Sequence, residues 1–333
     1  MISIIIPNYN GSKTIPLTLG SLEEQTLNDF EVIIVDDGSR DDSVSLIHHM
    51  IDGKENYTII EQAQNQGAAA ARNAGVKMAK GKILMFIDSD IIINKDTIKK
   101  ISNFFKIHDA ADAVVGLPDS RNRFSNWASQ HFNLRLHHNY INLPDRIGHL
   151  YTSICAVKKD AFESVDGFNE NMKSEEDPEL GFRLSDAGFA IYTDKTLSVN
   201  HYKHISFWGL LKNDFKRSAS RARLMLRKSM TGSLVKKSKG FISTPMSQVY
   251  ATLVMPVFWS SIIGGLFYPP VFILSIFCLF LFLKFFYNYL SFLVNLKSLG
   301  FALKTYLLLI IDMSVVALGI AFGLLQYNRG IKY

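Results

Sequence analysis

Over the first 200 residues, short continuous apolar runs alternate with stretches whose apolar positions recur every three or four residues. The runs Ile2–Ile6, Glu31–Val35, Tyr57–Glu61, Lys82–Ile87 and Ala113–Gly116 are rich in β-branched side chains and are the length of buried strands. Between them, Thr14–Gln25, Asp41–Met50, Gly67–Ala79 and Asp96–Phe105 carry helical periodicity. Strand–helix alternation on this scale predicts an α/β domain with a mostly parallel sheet and helices on both faces. Ligands of such sheets bind at the carboxyl ends of the strands, so the residues just after each run are the ones to read for chemistry.

The pattern changes near residue 205. Phe207, Leu211, Phe215, Ala219, Ala222 and Leu226 repeat at helical spacing, with Lys212, Lys216, Arg223 and Arg227 on a neighbouring face. This predicts a basic amphipathic helix of the kind that lies against anionic lipid headgroups. From Gly240 to Leu283 there are 44 residues without a charge. Crossing a bilayer core of about 30 Å takes roughly 20 helical residues. Val249–Tyr268 meets that length, Pro269-Pro270 breaks it, and a second run resumes at Val271, so a helical hairpin is predicted over about 249–268 and 271–290. A third candidate span, about Thr305–Gln326, contains Asp312, and two or three spans are both compatible with the pattern. A carboxylate at that depth is costly and is expected to face another helix or to snorkel. The expected organisation is therefore a domain over 1–205, an interface segment over 206–245 and a transmembrane region over 246–333.

Charge sharpens this division. The chain has 333 residues and a net charge of +6. Residues 1–211 hold 21 basic and 28 acidic side chains, whereas residues 212–239 hold 10 basic side chains and one acid. The basicity thus sits in a collar beside the apolar region, which points to membrane lipid and not to nucleic acid. By the positive-inside rule the collar, and the first domain with it, is expected on the cytoplasmic side. The start of the chain shows no basic leader or apolar stretch of a secretory signal, which agrees with that side. Cys155 and Cys278 are too few for a disulfide framework. His48-His49 and His137-His138 are adjacent pairs whose side chains diverge, and they read as surface or structural residues and not as a zinc site.

The strand ends are polar. They carry Pro7-Asn8-Tyr9-Asn10, Asp36-Asp37-Gly38-Ser39, Asn65-Gln66-Gly67 and Asp88-Ser89-Asp90. No glycine-rich dinucleotide fingerprint follows the first strand and no Gly-Lys-Ser/Thr phosphate loop occurs. Nicotinamide-dependent and ATP-hydrolysing chemistries lose their support. Two carboxylates one residue apart at a strand end suit a hard divalent cation such as Mg2+ or Mn2+, which would neutralise a diphosphate leaving group.

Six motifs in this order resemble the family 2 glycosyltransferases of the GT-A fold, whose Rossmann-like sheet matches the predicted alternation. They are Pro7-Asn8-Tyr9-Asn10, Asp36-Asp37-Gly38-Ser39, Ala71-Arg72-Asn73-Ala74-Gly75, Asp88-Ser89-Asp90, Asp166-Gly167-Phe168 and Glu175-Glu176-Asp177-Pro178-Glu179-Leu180, spread over residues 1–205. The resemblance implies a nucleotide-sugar donor, most commonly UDP-linked. By similarity Pro7, Asn8, Tyr9 and Asp37 contact base and ribose, and Arg72 secures the donor. Asp88 holds the ribose and assists the metal, Asp90 ligates it and His201 completes the site; an exposed interfacial histidine is the other reading of His201. Glu176 and Asp177 form the catalytic pair, with Asp177 as the base of a single inverting displacement. A Glu-Asp pair favours a hydroxyl acceptor, such as a lipid-linked saccharide or glycolipid, because a hydroxyl benefits from a base. A polyprenyl-phosphate acceptor, as in dolichol-phosphate-mannose-synthase-like relatives, needs none and is the alternative; a non-catalytic scaffold and a nucleotide-sugar hydrolase are further ones. The Gln-x-x-Arg-Trp motif of processive members is missing where the chain reads Lys216-Arg217-Ser218-Ala219-Ser220-Arg221, so transfer of one sugar per encounter is expected.

Overall fold

The structure is a computed structural model describing residues 1–230 and 244–332, the side chains of 228–230 excepted. Lys236, Lys237 and Lys239 of the basic collar lie outside the described residues, as does the side chain of Lys228. The chain forms two compact units. One comprises Met1–Ser125 and Tyr140–His204, the other Asn126–Asn139 and Ile205–Tyr333. The helix that starts at Trp127 therefore groups with the C-terminal helices, although it follows a strand of the first unit in sequence.

The first unit follows the expected order at its start: β1 (Ile2–Asn8), α1 (Ile15–Glu23), β2 (Phe30–Asp36), α2 (Ser43–Ile51), β3 (Tyr57–Glu61), α3 (Ala68–Met78) and β4 (Ile83–Phe86). Next come β5 (Ile91–Ile93), α4 (Thr97–Ile107), β6 (Ala113–Pro118) and, mostly in the second unit, α5 (Trp127–Ile141). The unit ends with β7 (Arg146–Ile147), β8 (Cys155–Lys158), α6 (Lys159–Ser164), α7 (Glu176–Asp186) and β9 (Ile191–His201). The sheet order is β3-β2-β1-β4-β8-β6-β9-β5, with β7 also on β9. β3, β2, β1 and β4 are parallel; β8 then runs antiparallel between β4 and β6. β9 returns parallel to β6, and β5 is an antiparallel edge.

These directions collect the chemistry. The carboxyl ends of β1, β2, β4, β6 and β9 and the beginnings of β5 and β8 all meet at one edge. β1 and β2, inside the parallel half, are buried on both faces, so they read as continuous apolar runs. On one face Ile4, Ile6, Val32, Ile34 and Met85 pack with Ile15 and Leu19 of α1 and Ile98 and Ile101 of α4. On the other, α3 approaches so closely that a Cβ on Gly75 would sit 2.7 Å from Ile5 Cγ2. Gly75 thus brings the helix carrying Arg72 down onto the sheet.

The second unit holds α8 (Phe207–Met230), α9 (Met246–Phe267), a 3-10 turn (Pro269–Val271), α10 (Phe272–Leu296) and α11 (Leu299–Asn328). α9, the turn with α10, and α11 are each long and apolar enough to cross a membrane. The proline pair makes the hairpin turn and α11 is the third candidate. α8 is continuous across the basic repeat, but α11 covers part of the stripe expected to face lipid. A Cβ on Gly319 would meet Phe215 O at 2.6 Å, and one on Gly323 would meet Ala219 O at 2.3 Å. Glycines four apart let two backbones touch. Periodicity shows that a stripe exists but not what covers it.

Asp312 is buried in this unit, as its cost in an apolar helix demands. The Arg135 guanidinium of α5 bonds both Asp312 and Asp214 of α8. Burial works against charge on Arg135, yet the two carboxylates raise its pKa further above the usual range. Burial, then the Arg135 charge, pushes the neighbouring His131 well below its usual pKa. His131 Nδ1 lies 3.0 Å from Tyr289 Oη, and Trp127 stacks on its ring at 4.8 Å.

Candidate active site

The first two strand ends are laced together. Asn8 donates to Asp36 Oδ2 at 2.8 Å, Ser39 donates its hydroxyl to the same oxygen at 2.6 Å, and Asp37 N donates to Asn8 O at 2.8 Å. Both oxygens of Asp37 accept backbone N–H groups, Gln66 at 2.7 Å and Gly67 at 2.8 Å, which fastens the start of α3. Gly38 has φ +74°, and a Cβ there would lie 2.8 Å from the Gln64 backbone, so only glycine serves in this turn. Asn8 and Asp37 are buried; Tyr9 beside them is exposed at the edge, and Pro7 is the penultimate residue of β1, paired with Val35.

Arg72 joins two motifs that are 88 residues or more apart from each other in their acids only by folding. It is 3% exposed, donates to Asp88 Oδ1 at 2.7 Å and to Glu176 Oε1 at 2.9 Å, and lies 5.4 Å from the centroid of the Phe168 ring. Burial opposes its charge, but Asp88 and Glu176 hold the proton and raise its pKa. The other Asp88 oxygen accepts from Ser153 at 3.1 Å. Asn73 donates to Phe168 O and accepts from Phe168 N, both at 2.9 Å, which clamps the Asp166-Gly167-Phe168 turn. Three further sequence motifs therefore converge on the side chains of the motif that α3 carries.

Asp90 is separate from this hub. Its carboxylate Oδ2 lies 3.1 Å from His201 Nε2, and its carbonyl accepts Tyr202 N at 2.7 Å. The pairing of Ile91 with His201 at the start of β5 fixes this contact. Burial opposes ionisation of Asp90, but His201, and behind it Lys203, hold the carboxyl below its usual pKa. His201 is thus buried at the site and not an exposed interfacial residue.

The acidic motif opens α7. Glu175, just before the helix, has φ +64° and is buried, a left-handed conformation that is strained for a side chain with a Cβ. Glu176 turns to Arg72, while Asp177 Oδ2 accepts Thr152 N at 3.3 Å. Arg183 of the same helix donates to Gly167 O at 2.6 Å and pairs with Glu179 at 2.8 Å. Gly181 lets α7 approach: a Cβ there would lie 2.3 Å from Leu150 N. Gly181→Ala is expected to displace this contact and to lower stability by about 1–3 kcal/mol, read as a lower thermal midpoint of the purified protein; an unchanged midpoint would rule out the close approach.

Thr152, Ser153 and Phe168's ring were not apparent as site groups in the sequence. Thr152 and Ser153 precede β8, whose four residues carry little pattern, and only its insertion beside β4 brings them to the edge. Among the described residues no group of three or more His, Cys, Asp or Glu is gathered to hold a metal on its own. The Asp90–His201 pair nevertheless fits a cation that takes a few protein ligands and completes its shell with substrate phosphate oxygens. Asp88 is engaged by Arg72 and Ser153.

A polar edge built this way, with paired acids at strand ends and no cofactor fingerprint, matches a known domain: residues 3–166 fit the model of glycosyl transferase family 2. This chain carries a family 2 glycosyltransferase domain. An uncharacterised glycosyltransferase of Haemophilus influenzae is 38% identical over 104 residues, covering 31% of this chain and 42% of that protein. A poly(ribitol-phosphate) beta-glucosyltransferase of Bacillus spizizenii is 38% identical over 118 residues, 34% of this chain and 18% of that protein. The matches thus span less than half of these relatives. The mannosyltransferase PcManGT from Pyrobaculum calidifontis, solved with GDP-Man and Mn2+, superposes with a TM-score of 0.62 at 16% identity, covering 97% of this chain and 86% of that one. At that identity the likeness establishes a shared GT-A fold for the glycosyltransferase domain.

Proposed function

We propose that this chain is an inverting glycosyltransferase that moves one sugar from a nucleotide-diphosphate sugar, favouring a UDP-sugar, to a hydroxyl of a lipid-linked saccharide or glycolipid. The observation that carries the reading is Arg72, whose two ends bond Asp88 of the Asp-x-Asp motif and Glu176 of the acidic motif. That bridge holds Asp88 and Glu176, and with Glu176 the start of α7 that carries Asp177, against one strand edge. Tyr9, exposed beside the Asn8–Asp36 lacing, offers a ring face for a base, and the Pro7–Asn10 turn and Asp37 keep that face in place.

Asp90 and His201 would hold Mg2+ or Mn2+, with Asp88 supporting from the Arg72 side. When bound, the cation neutralises charge that builds on the departing diphosphate. Asp177 removes the proton from the acceptor hydroxyl as it attacks the anomeric carbon from the face opposite the leaving group. Glu176 is ill suited to that task, because its carboxylate is already engaged by the buried Arg72 guanidinium at 2.9 Å; it positions Asp177. The strained Glu175 fixes where that acid emerges from α7.

Three apolar helices in the same chain support an acceptor held in a membrane, and the basic collar supports anionic lipid beside them. The basic segment before the first apolar helix also supports a cytoplasmic orientation of the glycosyltransferase domain. The test is to incubate membranes containing the full chain with labelled UDP- and GDP-linked sugars, with and without EDTA, and to identify the labelled product. A labelled lipid that disappears with EDTA is expected. Water-soluble sugar as the sole product would refute a lipid-linked acceptor, and full activity in EDTA would refute the cation.

A further inference from the structure

The second unit contains a cavity that the reading above does not use. It has a volume of about 290 Å3 and is lined by Asn126, Trp127, Ala128, Phe207, Lys304 and Leu308. That is near the lower end of small-molecule sites, about 300–1,000 Å3, so it suits a segment of a chain rather than a whole ligand. Its walls are held by specific bonds. Trp127 Nε1 donates to Thr305 Oγ1 at 2.9 Å, Asn126 donates to Ile205 O at 2.7 Å, and the Trp127 and Phe207 rings lie 6.2 Å apart. The slot is thus preformed where α5, α8 and α11 meet.

The lining is apolar except for Asn126 and Lys304. Lys304 is exposed and makes no ion pair among the described residues. An unpaired ammonium beside an aromatic and aliphatic slot is complementary to a molecule with an anionic head and a hydrocarbon tail. Leu303, Leu307 and Ile311, next to the slot on α11, are exposed at i, i+4 spacing and continue an apolar track from it. Trp208, 76% exposed beside Phe207, supplies the ring that membrane proteins place at headgroup depth.

We propose that this slot receives the lipid of the acceptor itself, with the phosphate next to the lipid chain set against Lys304 and the first hydrocarbon units between Trp127, Phe207 and Leu308. This deepens the functional reading above and rests on it for the identity of the lipid. The occupant is a prenyl-type carrier phosphate or diphosphate, not bulk anionic phospholipid, because the acceptor proposed above is itself lipid-linked and the Trp127 and Phe207 rings, 6.2 Å apart, offer flat faces to unsaturated isoprene units.

The experiment uses the full chain in phosphatidylcholine nanodiscs with a diazirine-bearing polyprenyl diphosphate. Photolysis followed by peptide mapping is expected to place the label on the segments carrying Trp127, Phe207 or Leu308. Unlabelled polyprenyl diphosphate should compete, and a matched excess of phosphatidylglycerol should not. Leu308→Trp, which fills the slot, is expected to cut labelling at least tenfold with nucleotide-sugar binding unchanged, which reports that the chain still folds. Lys304→Gln should weaken labelling by the diphosphate probe but not by the corresponding uncharged prenol, and Lys304→Arg should restore it. Labelling elsewhere, insensitivity to both Leu308→Trp and Lys304→Gln, or equal competition by phosphatidylglycerol overturns the proposal. Slot labelling without any transfer to lipid would sink the functional reading and leave the slot standing; lipid transfer without slot labelling would do the reverse.

Discussion

Asp177→Asn is expected to reduce sugar transfer by a factor of about 10²–10⁴ while leaving nucleotide-sugar binding within about twofold. The amide keeps the shape of the carboxylate, and its oxygen still accepts Thr152 N, now seen at 3.3 Å. What it loses is the ability to take a proton from the acceptor. Turnover of labelled donor and calorimetric titration of the nucleotide separate the two effects. Glu176→Gln is the contrast. It breaks the ion pair to Arg72 and should disturb donor binding and turnover together, because Arg72 also holds Asp88. Transfer by Asp177→Asn within threefold of the unaltered chain would remove Asp177 as the base.

Arg135→Leu is expected to cost the helical unit about 3–5 kcal/mol. Arg135 is the charge that both Asp214 and Asp312 bond, and Asp312 is only 1% exposed. Removing it leaves buried carboxylates without compensation, in a region whose surrounding surface is hydrocarbon. In detergent the thermal midpoint should fall by on the order of 10 °C. The combined change Arg135→Leu, Asp214→Asn and Asp312→Leu should recover much of that loss, since a neutral apolar replacement of a buried ion group is often tolerated. An unchanged midpoint for Arg135→Leu alone would show that the triad does not hold α5 to α8 and α11.

The site was legible in unequal parts. Asp88 and Asp90 stand out because polar residues at the end of a buried run have few structural reasons to be there, whereas Arg72, Glu176 and Asp177 stand out only through the resemblance of their motifs to family 2 glycosyltransferases. Their partnership does not. Periodicity places Arg72 on a helix and Asp88 after a strand, but no pattern says that the helix packs over β1 and β2 with Gly75 against Ile5. His201 is similar. It reads as one histidine after a strand until β5 folds back antiparallel and sets Ile91 opposite it. β5, β7 and β8 have two to four residues each, too few for a period of two to register, so the antiparallel half of the sheet, with Thr152 and Ser153, was missing from the expectation.

The helical unit shows the same division. Forty-four residues without charge and a Pro-Pro break are enough to predict a hairpin of apolar helices, because hydrophobic length is a local property. Asp312 could likewise be recognised as a residue in need of a partner. The partner itself, Arg135, lies 177 residues away on a helix that the linear pattern leaves within the first domain. Sequence alone therefore determined the α/β alternation, the apolar helices, the charge division and the polar strand ends from which the candidate acids were drawn, since each follows from neighbouring residues and their solvation. Tertiary structure decided which acids share Arg72, that Asp90 meets His201, that α11 covers α8, and where Asp312 finds its counter-charge. These depend on packing between segments far apart in the chain, where shape and close backbone approach, not hydrophobic period, select the neighbour.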